Sequence, residues 1–492
     1  MKRFDKIVLG SIFVLSLLVA LLWGFGDRQP ISVQQFSWEG KQVSVADKFF
    51  SFSLNQAIDP DFVEANLSID PLLPGRLSWT GKKFFYTLTD LPIYGQEYQL
   101  KLAAPEDSDS EQEEEEKTEE ILPFTFEPFL TRFQSRDRAF AYIGTEGDDR
   151  GRLILFNLTK QEKSILTPAD LTVLDFEAYP DGDRLLFAAI PNATFDANLE
   201  DLQLYTVTTG LEDDTVTTTD ETVIGKIDLV LDSEEYVNGK FQLADNGQRI
   251  IVQRVNKEDS RDRSLWVIEG KAEPRGLGIP AEEFLLAPDA DVVAVSQEGR
   301  LSIVPLGRNS GAIQAKEQFT RLLAFSPNHN EQIALQENDG ITSLYLTNGD
   351  EDQDDQLLLR TLTPIVDCLY EPRYGETIYC LKIDQAESLG QIVEEPFLSA
   401  LDIATGNETP LLALPNYRDV RLSVAADGLA LLFDQVVTAN PTQNSNLFTD
   451  SGLAVEGGRV WLLALPELEQ DAEIQPVPPE SLLPGFRPQW MP

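Results

Sequence analysis

Two cysteines, one histidine and several dense runs of carboxylates are the residues of this 492-residue chain whose types could do chemistry. Cys368 and Cys380 stand in VDCLYEPRYGETIYCL, six residues either side of Tyr374, where Tyr374-Gly375 centres a turn. A symmetric hairpin about that turn sets the two side by side, and opposed antiparallel positions approach the Cα separation a disulfide needs. Closing so short a loop would stabilise by about 3 kcal/mol in the chain-entropy account; the alternative is two buried thiols. His329 sits in Pro327-Asn328-His329-Asn330, a turn, and reads as a turn residue rather than a general base. Neither cysteine has a histidine in an arrangement suited to nucleophilic catalysis, and no Gly-rich phosphate loop with a lysine is present.

The carboxylates are abundant but poorly patterned. Pro105–Glu120 places ten acids and one lysine together, and NGDEDQDDQ (348–356) and LEDDTVTTTDE (211–221) are similar. A calcium loop wants alternating oxygen ligands closed by a bidentate Glu, and none of these frames supplies it. Runs of like charge without apolar periodicity read as solvated loops; a low-affinity cation sponge or a handle for a basic partner is the alternative for 105–120. No catalytic, cofactor-binding or metal-ligating residue is assigned, with calcium the one cofactor left open. A single His and two Cys leave no material for His-rich metal sites, zinc modules or a disulfide-dense mini-fold.

The elements that must position any site start with an address. Lys2, Arg3 and Lys6 precede an uncharged run from Ile7 to Gly26, long enough at about 1.5 Å per residue to cross a bilayer core. The charge order keeps the short amino end in the cytoplasm and sends the body out. Residues 1–27 are therefore read as a signal anchor, a single-span transmembrane helix, with a cleaved signal peptide before Asp27 and a secreted body as the alternative. An exported body, periplasmic or cell-surface, would also permit the disulfide. With 39 basic and 82 acidic residues the formal charge is −43, which excludes a nucleic-acid partner and argues against a peripheral membrane-surface enzyme.

Residues 28–130 read as seven short strands: ISVQQFSW, KFFSFSL, ANLSID, GRLSW, KKFFYTL, YQLKL and LPFTFEP. Phe50, Phe52 and Leu54 alternate with Ser51, Ser53 and Asn55, as in a half-buried strand. The Ile-Asp-Pro segments and the corner Leu91, Pro92, Tyr94, Gly95, Tyr98 resemble the bacterial Ig-like domain of the SbsA type. That resemblance implies a β-sandwich acting as a spacer, with the acidic run 105–120 inserted between two strands.

Residues 131–492 repeat one design. YPDGDRLLF, ADNGQRIIV, APDADVVAV, SPNHNEQIAL, EPRYGETIYCL and AADGLALLF each join a polar turn to a short apolar strand, and a second strand usually follows. Four short antiparallel strands per repeat make a propeller blade. A degenerate copy at SRDRAFAYIG lacks its leading strand, and GFRPQWMP at the other end supplies one. Pairing them closes a ring of seven blades, six or eight being the alternatives. Phe325-Ser326-Pro327, Pro180-Asp181-Gly182 and the closing Trp490 and Pro492 resemble the TolB-like (PD40-type) propeller family. Ala287, His329 and Arg373-Tyr374-Gly375 depart from its unit. The resemblance implies an envelope interaction platform or the gating propeller of a prolyl-oligopeptidase-type enzyme. The latter needs a hydrolase domain with a nucleophile elbow and a later His, and the repeats run instead to Pro492.

The expected whole is all-β: a membrane anchor, an Ig-like sandwich and a propeller. Its expected role is a membrane-anchored scaffold that binds an unidentified envelope protein or polymer and is not an enzyme. An envelope hydrolase or lyase using converged channel carboxylates and a bound cation is one alternative, since such a pair leaves no mark in spacing. A passive surface-layer or adhesion component is the other.

Overall fold

The computed structural model describes residues 15–16, 30–103, 125–191, 199–211, 223–307, 312–327, 331–348, 355–388, 391–414, 419–442, 445–465 and 478–492. The expected anchor, apart from Leu15 and Ser16, the acidic run 105–120, most of 211–221 and of 348–356, and His329 lie outside the described residues. Among the described residues no helix is long and apolar enough to cross a membrane. The chain divides into two units, 1–91 with 96–135, and 92–95 with 136–492.

The first unit is a pair of four-stranded sheets over one core. Strands β1 (Val33–Phe36), β3 (Phe49–Leu54), β6 (Lys83–Leu88) and β5 (Gly75–Thr80) form one sheet. The other contains β2 (Gln42–Val43), β8 (Phe129–Ser135), β7 (Glu97–Leu102) and β4 (Leu67–Asp70). Phe50, Phe52 and Leu54 point inward from β3, as their alternation requires, and meet Trp38, Phe84, Tyr98 and Phe133. Three local expectations are corrected. The last strand is β8 rather than LPFTFEP: Phe126 makes an isolated parallel bridge to Ile31 and Pro128 cannot donate to a ladder, whereas FLTRFQS pairs along its length with β7. The unit therefore extends to Ser135, beyond the expected boundary at 130. A short helix, α1 (Pro60–Asn66), precedes β4, with Asp59 accepting from Asp61 N at 3.1 Å and Pro60 in its first turn. Finally, Pro92–Gly95 of the expected corner groups with the second unit.

Among the described residues the second unit holds seven four-stranded antiparallel sheets, each written here from its inner strand outward. They are β36 (Gly485–Trp490), β9 (Ala139–Gly144), β10 (Leu153–Asn157), β11 (Glu162–Ile165); and β12 (Leu171–Ala178), β13 (Arg184–Pro191), β14 (Gln203–Thr208), β15 (Ile227–Leu231). Next come β16 (Tyr236–Leu243), β17 (Arg249–Asn256), β18 (Arg263–Glu269), β19 (Arg275–Gly276); and β20 (Glu283–Leu286), β21 (Val292–Gln297), β22 (Arg300–Pro305), β23 (Gln314–Lys316). The last three are β24 (Arg321–Phe325), β25 (Gln332–Asn338), β26 (Ile341–Thr347), β27 (Gln356–Thr361); β28 (Ile365–Tyr370), β29 (Thr377–Ser388), β30 (Gln391–Asp402), β31 (Glu408–Ala413); and β32 (Leu422–Val424), β33 (Ala430–Ala439), β34 (Ala454–Ala464), β35 (Glu480–Ser481). Each repeated turn of the sequence joins an inner strand to the next. Gly182, Gly247, Gly375 and Gly428 occupy these turns at φ between 66° and 73°, a region open to glycine at little cost. Second strands such as β13 are buried on both faces, because each sheet stacks between two neighbours.

The ring closes on itself, and this is a β-propeller. Each inner strand contacts the next in chain order, and β36 contacts both β32 and β12. The tail strand pairs antiparallel with β9, Gly485 opposite Gly144, Phe486 opposite Ile143 and Trp490 opposite Phe140. Trp490 meets Phe140 edge-on at 5.7 Å, and Phe486 is fully buried. Gly485 is fitted to this seam, since a Cβ there would lie 2.3 Å from Tyr142 Cδ2 and 3.0 Å from Ile143 O. Gly457 on β34 has nothing within 4 Å of the same position. Gly485→Ala should therefore cost roughly 1–3 kcal/mol in urea denaturation through overpacking, while Gly457→Ala stays within about 0.5 kcal/mol of the parent. Equal effects would disprove a tight seam.

Candidate functional site: the central channel

The inner strands of all seven sheets line one cavity of about 730 Å³. Each brings a charged side chain to the lining, and β12 brings a second, Glu177. In ring order, Glu177 aside, these are Asp175 (β12), Lys240 (β16), Glu283 (β20), Arg321 (β24), Asp367 (β28), Arg421 (immediately before β32) and Arg487 (β36). The signs alternate around the ring until the last two, which are both positive. Apolar side chains share the lining, among them Phe176, Phe241, Phe284 and Phe325.

Neighbouring opposite charges bind where they can reach. Arg321 Nη1 lies 3.0 Å from Glu283 Oε2, and its Nη2 donates to Ile365 O and Val366 O at 3.1 and 3.0 Å. At the like-charged pair, extra carboxylates intervene. Arg487 reaches Asp175 at 3.2 Å and Asp450 at 2.6 Å, and Arg421 reaches the same two at 3.4 and 2.9 Å. Asp450 belongs to the connection between β33 and β34, not to an inner strand. Asp434, on β33 and 1% exposed, accepts the backbone N–H of Arg421 at 2.9 Å and of Arg487 at 2.7 Å. Arg487 lies at φ 52° inside the register shift of β36, a conformation a branched-free side chain still pays for, and the Asp434 bond holds it there.

These surroundings push the channel carboxylates apart. Burial would raise Asp450, but Arg487 and Arg421 hold it down at about 2. Burial lifts Glu177 to about 8 against the bond from Leu243 N, with Asp175 adding repulsion. Burial likewise lifts Asp434 to about 6 in spite of the two backbone bonds. Asp367 faces channel solvent but is enclosed by protein, and that desolvation also takes it to about 6, with Arg421 and Arg321 pulling back.

Of the residues singled out in the sequence, Cys368 and Cys380 are direct partners across β28 and β29 and form a disulfide, buried in the sheet and away from the channel lining. The carboxylates of the channel lining stand interleaved with Lys240, Arg321, Arg421 and Arg487. Among the described residues no group of three or more His, Cys, Asp or Glu is arranged to hold a metal ion. The charged ring was missed, although a signal exists. Asp175, Lys240, Glu283 and Arg421 each precede by seven residues the positive-φ residue of their turn, Gly182, Gly247, Ala290 and Gly428, and Asp367 precedes Gly375 by eight.

No family model and no curated protein matches the chain. Similar solved structures include TolB from Acinetobacter baumannii, at 11% identity over 73% of this chain and 67% of that one, TM-score 0.37. Putative TolB from Agrobacterium tumefaciens aligns at 12% identity over 57% and 90%, TM-score 0.35. Oligogalacturonate lyase from Vibrio parahaemolyticus aligns at 14% over 61% and 87%, TM-score 0.42.

Two outcomes follow from the channel electrostatics. Asp434→Ala strands two buried N–H groups and should cost about 3 kcal/mol in urea denaturation; a loss below about 0.5 kcal/mol would remove Asp434 from the closure. Glu177 has a folded pKa raised above its unfolded one, so its contribution is complete below about pH 4 and is lost as pH rises towards 8. Glu177→Gln keeps an acceptor for Leu243 N without a proton to lose. The variant should match the parent's thermal midpoint at pH 5 and exceed it at pH 8, whereas parallel pH profiles would contradict the raised value.

Proposed function

We propose that the chain is a TolB-like, seven-bladed propeller carried on an SbsA-type Ig-like spacer behind an amino-terminal membrane anchor, its body outside the cytoplasm. Its role is to bind an envelope protein or polymer through a propeller surface. Each four-stranded sheet is one blade in this reading, and the Ig-like unit is a spacer.

One observation carries the reading. In two adjacent sheets the middle hairpin outruns its flanking strands. Asp384–Ser388 and Gln391–Glu395 are in ladder register with each other beyond the reach of β28 and β31. Gln435–Ala439 and Ala454–Arg459 likewise run past β32 and β35, although Phe448 bridges Ala454 and Val455 N donates to Leu447 O. Both hairpins lie at the second-to-third-strand end of the ring. A hairpin that runs past its own flanking strands is what a partner-facing edge needs, and a rigid closed ring holds it in fixed register. The buried disulfide in one of these sheets and the cations Lys2, Arg3 and Lys6 before the uncharged run Ile7–Gly26 favour the exported location.

The test is crosslinking and pulldown from envelope fractions with the full chain, beside a variant whose 385–394 segment is replaced by an Asn-Gly turn. The reading expects a specific partner with the parent, its yield falling about tenfold or more in the variant at an unchanged thermal midpoint. Full retention by the shortened hairpin would remove this edge from the interaction. Calcium-dependent turnover of a glycan would replace the platform reading with the lyase one.

A further inference from the structure

The like-charged junction of the channel does more than close the ring. We propose that Arg421 and Arg487 form a carboxylate-binding site in the channel wall, and that Asp450 occupies it as a tethered, exchangeable stand-in for a small organic carboxylate.

Three observations converge on that site. First, seven alternating charges leave one unavoidable like pair, and this pair is where the channel presents two guanidinium groups side by side. Second, both guanidinium groups grip the two oxygens of one carboxylate: Arg421 Nη2 is 2.9 Å from Asp450 Oδ2, and Arg487 Nη2 is 2.6 Å from Asp450 Oδ1. That is the geometry with which arginines recognise a free carboxylate. The other carboxylates of the ring come from inner strands, whereas Asp450 comes from a connection anchored by Ser451 N to Asp419 at 2.9 Å. Third, the Arg487 side chain is 9% exposed, yet its Nε and Nη1 lack a hydrogen-bond acceptor although Nη1 faces Asp175 at 3.2 Å. Tyr370, also lining the channel, is 8% exposed and its hydroxyl has no partner among the described residues. Arg487 Nε is therefore a buried donor left over beyond those Asp450 and Asp175 engage, on a residue that lines a cavity of the size that holds small ligands.

The chain's net charge of −43 does not forbid an anion here. Exposed charges beyond about 8–10 Å are screened at physiological salt, so the immediate surroundings decide; the lining holds four cations and six carboxylates, and two of the cations meet at this one junction. The inference stands apart from the platform reading, since it concerns the channel wall whatever the outer hairpins bind.

Asp450→Ala in the full chain removes the tethered carboxylate and leaves the arginines. Sodium acetate should then raise the variant's thermal midpoint saturably, and labelled acetate should broaden by NMR on addition of protein. Sodium chloride at matched ionic strength and acetamide should do neither. The parent should respond to acetate in the same way at about tenfold to hundredfold higher concentration, because Asp450 competes at high effective concentration. If the alanine variant does not fold, Asp450→Asn, nearly isosteric, serves in its place with the same expectation. A response to chloride equal to that to acetate, or none to acetate, would show that no carboxylate site exists. A parent silent throughout that range would show that Asp450 is a permanent strut, and would overturn the exchange.

Discussion

Closure of the ring governs this propeller, because the strand β36 must supply the inner edge of a sheet whose other three strands were made some 330 residues earlier in the chain. Antiparallel pairing with β9 satisfies the backbone and removes two open sheet edges. It also inserts one more charged residue into a tier that alternates in sign, and seven cannot alternate. Two positive groups therefore meet at the seam. The fold answers with carboxylates from three elements: Asp175 from β12, Asp434 from β33 and Asp450 from the β33–β34 connection. Electrostatic compensation and chain closure are here one problem with one solution.

The consequences differ for each carboxylate according to what surrounds it. Asp450 lies between two guanidinium groups, and their attraction exceeds its desolvation, so its ionised form is strongly favoured. Asp434 is bound chiefly by backbone N–H groups in a dry site, and there desolvation wins. Glu177 has one backbone donor and two acidic neighbours, so the balance moves further towards the neutral form. Groups of one type within one cavity thus span about six pH units, for reasons that can be read from donor count and burial.

What was legible in the sequence was what short-range geometry controls. Polar turns demanding positive φ, each followed by an apolar run, mark inner-to-second strand junctions, and Gly182, Gly247 and Gly428 sit in them. The degenerate SRDRAFAYIG and the terminal GFRPQWMP announce an open end and its complement, which is where β9 and β36 pair. The opposed positions of Cys368 and Cys380 are set by a tight turn only twelve residues wide. What escaped was set by distant packing. The helix Pro60–Asn66 has an Asp-Pro start, but seven residues carry too little periodicity to outvote strand-like neighbours. The charged tier needs seven strands brought to one axis before Asp175 and Arg421 become neighbours, 246 residues apart in the chain.

The same side chain can close the ring and line its channel only because β36 is irregular. In a regular antiparallel strand, residues alternate strictly between the two faces, and Arg487 and Pro488 would take fixed places opposite β9. The register shift between Phe486 and Gln489 releases them from that alternation, and Arg487 turns to φ 52° with its N–H on Asp434. Strain of this kind persists where surrounding contacts over-determine it. Here Phe486 is packed on one side and Trp490 on the other, so the seam's apolar burial fixes the ends of the bulge and the charges fix its middle. Loosening either would let the other relax, which makes stability and channel chemistry in this propeller a coupled property rather than two independent ones.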